Sequence, residues 1–148
     1  MTATTTRTES TPAEISSVAA TAYSVLMDLV LLGIIALAAM AGQFLKVDGR
    51  RDSYVGYINA HGLISEVSEV LVFAAAVVAF TKFRHLKALV VGTPVLLVAM
   101  LFNGYLGGEI REHGKVGYVT VHVPLAIAIM GLATWLVTRG IALRKGRL

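Results

Sequence analysis

The chain has 148 residues, of which 56% are hydrophobic and 15% charged, whereas a soluble domain of this size would carry about 25% charged residues. It contains no cysteine, which excludes disulfides, iron–sulfur clusters, thiolate zinc sites and covalently attached c-type haem. The net charge of +4 is not a nucleic-acid signal, because the basic residues stand at the ends of long apolar segments, where topology rules act on them.

Taken in chain order, residues 1–10 are rich in Thr and poor in apolar side chains, so a short disordered tail is expected. Thr11-Pro12-Ala13-Glu14 then reads as a helix start, with Thr11 as N-cap, Pro12 as the first helical residue and Glu14 closing a capping box. Four apolar stretches follow, at roughly 23–45, 57–80, 88–106 and 118–137. Each meets, within a turn, the requirement of about 20 residues for a helix to cross a hydrocarbon core of about 30 Å. Backbone groups must be satisfied internally in lipid, so these segments are helices. The first is too long, and its preceding tail too weakly basic, for a cleaved signal peptide. The chain divides into a tail with an interfacial helix start (1–20), a bundle (21–140) and a basic C-terminal tail (141–148). The expected class is all-α, an integral membrane four-helix bundle of up-down topology.

The Lys and Arg distribution sets the expected orientation. Arg7, Lys82, Arg84, Lys87, Arg139, Arg144, Lys145 and Arg147 fall on one side, and Lys46, Arg50, Arg51, Arg111 and Lys115 on the other. The second set is interleaved with Asp48, Asp52, Glu109 and Glu112. The positive-inside rule then places both termini in the cytoplasm.

Function must come from polar residues at membrane depth, where they are costly. Asp28 and Gln43 lie in span one, His61, Glu66 and Glu69 in span two, Asn103 in span three and His122 in span four. All but Asp28 gather toward the outer side. His61 and His122 each lie about one turn into spans that run in the same direction, so they reach equal depth. Spans two and four are diagonal in an up-down bundle, where cofactor sites are built from facing helices. Two imidazoles so placed can supply the axial ligands of a b-type haem. Gly42, Gly62, Gly104, Gly107 and Gly108 would give a flat macrocycle room, and Arg50, Arg51, Arg111 and Lys115 could pair with its propionates.

Several structural readings compete with this one. The histidines can sit hydrated at the interface, and the glycines can serve close helix packing. His85 and His113 are expected to be solvated. Tyr23, Tyr57, Tyr118 and Trp135 read as an aromatic belt. From His61, Glu69 is rotated by roughly 80° and Glu66 by roughly 140°, so Glu69 shares the histidine face and Glu66 points elsewhere. The two carboxyls serve either a proton path or interhelical contact, and Asp28 belongs with them. A metal site of His61, Glu69 and His122 ranks below haem, because eight residues rise about 12 Å along a helix.

The segments Asn59-Ala60-His61-Gly62 and His122-Val123-Pro124-Leu125-Ala126 resemble those of small bacterial four-span membrane proteins, and more loosely those of b-type cytochrome membrane subunits. That resemblance spans roughly 33–137. It implies haem ligation by His61 and His122 only. The reading taken from the whole sequence is a bundle in a bacterial cytoplasmic membrane that exchanges electrons with a quinol or a partner subunit. A second histidine pair on the inner side, usual in transmembrane electron-transfer cytochromes of that kind, is lacking. The alternatives are a non-catalytic subunit of a larger complex, a homo-oligomer, or a small proton- or ion-conducting protein using Glu66, Glu69 and Asp28.

Overall fold

A computed structural model of the protein describes residues 17–44 and 52–148. Four helices are present: α1 (Ser17–Phe44), α2 (Asp52–Lys82), α3 (Lys87–His113) and α4 (Val119–Arg144), the last entered through a 3-10 turn at Val116–Tyr118. Among the described residues there is no strand. The helices extend beyond the apolar stretches because the chain only breaks where turn chemistry intervenes. At the end of α3, Gly114 adopts φ 65°, ψ 22°, and its N–H bonds to the Glu109 carbonyl, a left-handed stop that glycine takes without a Cβ penalty. At the end of α4, Gly146 has φ 62°. The bonds from Gly146 N to the Leu143 carbonyl and from Arg147 N to the Ala142 carbonyl complete a Schellman closure. The expected helix start at Thr11–Glu14, and Arg7, Lys46, Asp48, Arg50 and Arg51, lie outside the described residues.

Each helix packs along two others. α1 packs on α2 and α4, and α3 packs on α2 and α4, while α1–α3 and α2–α4 form the diagonals. Tyr23 meets Phe83, Gly33 meets Ser68, Gly104 meets Glu69, Gly107 meets His122 and Gly92 meets Leu136. These pairs define two ends of the bundle, a Tyr23 end and a His61 end.

The core combines small and medium side chains, including Ala75, Ala79, Val72, Leu89, Leu96, Ala133 and Leu136, with the larger Tyr23, Met27 and Phe83. The outside is apolar: Phe73 is 60% exposed, Val98 65% and Ile127 69%. An exposed surface of this kind on all four helices is what lipid, not water, accommodates. All four helices are long and apolar enough to cross a membrane, so the fold is that of a multi-pass membrane protein.

The Tyr23 end corrects one expectation. Tyr23 was expected in an aromatic belt, yet it is fully buried. Its hydroxyl shares a 2.8 Å hydrogen bond with Thr93 Oγ1 across the α1–α3 diagonal, and its ring meets Phe83 edge-on at 6.3 Å. A tyrosine can enter an apolar core once its hydroxyl has a partner, and Thr93 supplies one. Gly140 of α4 lies close against this part of α1, since a Cβ there would stand 3.3 Å from the Ser24 backbone. Trp135 remains partly exposed with Arg139 over its ring at 5.2 Å, and Tyr57 is exposed, as a belt requires.

Candidate functional site

The polar residues of the His61 end converge on the interior from three helices. His61, Ser65 and Glu69 recur every fourth residue on α2, so they form one stripe with about 6 Å of rise between members. Ser65 Oγ donates to Glu69 Oε1 at 3.2 Å. Glu69 is partly buried and Glu66 exposed, which agrees with the rotation of the two carboxyls about the helix axis.

Two glycines of α3 let side chains from its neighbours lie against its backbone. At Gly104 a Cβ would stand 2.9 Å from Glu69 Oε1 and 3.9 Å from Ser65 Oγ. At Gly107 it would stand 3.3 Å from His122 Cε1. These two glycines therefore seat a carboxyl and an imidazole. Gly108 is half-buried and has nothing within 4 Å of its Cβ position, Gly42 likewise has open space, and Gly62 meets only Arg111 Nη1 at 3.6 Å.

His122 Nδ1 lies 3.0 Å from the Asn103 backbone oxygen. A carbonyl only accepts, so Nδ1 carries a proton, and of the two neutral tautomers this contact selects the one with its lone pair on Nε2. His61 is partly buried, directs a hydrogen-bonding contact to the Leu37 backbone of α1, and lies within electrostatic reach of His122. The two imidazoles thus stand within electrostatic reach of each other on helices that are diagonal in the bundle.

The remaining predicted residues take other places. Arg111 is exposed and donates from Nη2 to Asn59 Oδ1 at 3.1 Å, tying α3 to α2 above His61. Lys115 pairs with Glu109, which also accepts a 3.5 Å contact from His113. The Glu109 carboxylate beside it holds the Lys115 ammonium above the ordinary lysine range. His85 and His113 are exposed, as expected. Gln43 and Asp28 are partly buried, and neither has a hydrogen bond or ion pair among the described residues. No group of three His, Asp or Glu side chains among the described residues stands close enough to hold a metal ion, so the site of His61, Glu69 and His122 around a single ion is not formed.

The bond from Ser65 to Glu69 and the glycine notch opposite were not foreseen. The signal was present as the four-residue spacing His61, Ser65, Glu69 together with Gly104 and Gly107 on the next helix. No protein-family model, no curated protein and no solved structure matches the chain, so the likeness to cytochrome subunits rests on its two short motifs alone.

Proposed function

We propose that this membrane protein holds a b-type haem between His61 and His122 and exchanges electrons with a quinol or a partner subunit. The observation that carries the reading is the placement of two half-buried imidazoles on the diagonal helices α2 and α4, within electrostatic reach of each other, with His122 held by the Asn103 carbonyl. A histidine that donates one ring N–H to a backbone carbonyl has its tautomer and orientation fixed for ligation through the other nitrogen. The donor set fits, since a bis-histidine iron needs two neutral imidazoles and no carboxylate.

In this reading each part of the chain has a limited task. His61 and His122 would bind the iron, which when present supplies one-electron chemistry. Asn103 and Leu37 orient the rings through their carbonyls. Arg111 stands at the mouth of the site, and its guanidinium suits a carboxylate better than the Asn59 amide it now holds. The apolar exterior of α2 and α4 excludes water from the site's flanks. The excess of Lys and Arg in the α2–α3 turn and the C-terminal tail supports a cytoplasmic location of both termini, with the His61 end facing outward.

The test is a substitution contrast on the purified protein. His61→Ala and His122→Ala should each convert or abolish a six-coordinate haem spectrum, and the double variant should hold no haem. His85→Ala and His113→Ala should leave the spectrum unchanged. A six-coordinate centre that survives the double substitution would reject the assignment.

A further inference from the structure

The haem reading leaves Glu69 without a task, and a carboxyl at that depth calls for one. Glu69 lies near the middle of α2, partly buried, with its Oε1 between Ser65 Oγ and the Gly104 backbone. In an apolar layer a carboxylate is stable only if a cation pairs with it or a proton neutralises it. Among the described residues, both recorded ion pairs are made by Glu109, with Lys115 and His113. Arg111 is engaged with Asn59. The carboxyl electrostatically nearest to Glu69 is Glu66, of the same sign. On the helices packed against α2, the titratable groups are Tyr23 and Asp28 on α1 and Lys87, Tyr105, Glu109, Arg111, Glu112 and His113 on α3, with His122 on α4 beyond.

From this arrangement we propose that Glu69 is an intramembrane proton-binding site, seated in the Gly104 notch and reached from the His61 end along the stripe His61–Ser65–Glu69. The proposal goes beyond the haem reading and does not depend on it. Three features support it. The first is the missing Cβ at Gly104, which leaves room for the carboxyl against α3, since a Cβ there would stand 2.9 Å from Oε1. The second is Ser65, whose hydroxyl donates to Oε1 and can pass a proton by rotating, since a hydroxyl both donates and accepts. The third is the spacing, which sets His61 one turn beyond Ser65 toward the bundle end where Asn59 and Arg111 lie. The step is a simple exchange: a proton from water at that end converts the Glu69 carboxylate to the acid, and its release reverses the step. No oxidant, reductant or further reactant is needed. Ser65 and Gly104 are positioning residues in this scheme.

The test uses the full chain without cofactor, reconstituted in lipid nanodiscs and followed by infrared difference spectroscopy in H2O and D2O. The C=O stretch of a protonated carboxylic acid should be present at neutral pH, shift on D2O exchange, and be lost in Glu69→Gln. Ser65→Ala should move that band to higher frequency by removing a hydrogen bond, and Gly104→Ala should move or broaden it by displacing the carboxyl. Glu66→Gln should leave this band in place. His61→Phe should slow the D2O shift several-fold, while helicity stays that of the parent. A spectrum in which no protonated-carboxyl band depends on Glu69 would overturn the proposal, as would a Glu69 band indifferent to both Ser65→Ala and Gly104→Ala. A Glu69 band whose exchange is unchanged in His61→Phe would overturn the route. Because no haem is present, failure here is distinguishable from failure of the haem reading.

Discussion

Adding one methyl group at Gly33 tests the packing on which the site stands. Gly33 of α1 faces Ser68 of α2, and a Cβ there would come within 2.2 Å of Ser68 Oγ. Ser68 is 2% exposed, and its hydroxyl donates to the Ile64 carbonyl at 2.7 Å. Two responses are open. The hydroxyl can rotate away, losing a hydrogen bond of about 1 kcal/mol and leaving a buried polar group short of a partner. Alternatively the helices separate, and overpacking of this kind costs about 1–3 kcal/mol. Against either stands the higher helix propensity of Ala over Gly, about 1 kcal/mol. Gly33→Ala alone should therefore lower stability by up to about 2 kcal/mol on these magnitudes. In a Ser68→Ala background the nearest atom is the residue-68 Cβ at 3.5 Å, an ordinary contact, so the same substitution should be neutral or stabilising. The expected coupling is about 1–3 kcal/mol, measured by a double-mutant cycle of reversible unfolding in mixed detergent micelles with helicity as the signal. Additivity within about 0.5 kcal/mol would refute the close approach of α1 and α2 at this level.

Further predictions concern the other polar contacts and the topology. Tyr23→Phe keeps the ring but leaves Thr93 without its partner, and should cost about 1 kcal/mol in the same assay; unchanged stability would mean that the diagonal bond contributes nothing. Glu66→Leu places an apolar side chain on an apolar exterior and should hold or raise the midpoint of thermal unfolding in detergent. Glu69→Leu leaves Ser65 unpaired and crowds Gly104, and should lower stability by about 1–3 kcal/mol; equal behaviour of the two variants would contradict their different placement. A reporter active only in the periplasm, fused after Leu148, should stay inactive, and activity there would reverse the proposed orientation.

The four spans were legible in the sequence because lipid forces continuous apolar runs, and the run lengths survive any error in the ends. The different directions of Glu66 and Glu69 were also legible, since helical rotation from His61 depends only on spacing. The packed faces were not. These helices are apolar on nearly every side, so the sequence carries no polar stripe to mark the outside, and the buried face is set by small residues. Tyr23 illustrates the limit. Its position near a span end suggests an interfacial belt, while its actual partner, Thr93, lies on the diagonal helix α3 and is brought near only by the whole bundle. Gly33 and Gly104 are similar: a glycine in a membrane helix is ordinary until the side chain opposite is known. At the His61 end, the two histidines were marked out by their spacing within the spans, but the Asn103 carbonyl that accepts from His122 could not be read, because a backbone acceptor has no sequence signature.

The most direct measurement is the absorption spectrum of the intact protein, purified in mild detergent from haem-replete cells. The account predicts a reduced-minus-oxidised difference spectrum of a six-coordinate b-type haem, at a stoichiometry approaching one per chain. Folded, fully helical protein with no haem absorbance, and none gained on adding haem, would contradict it.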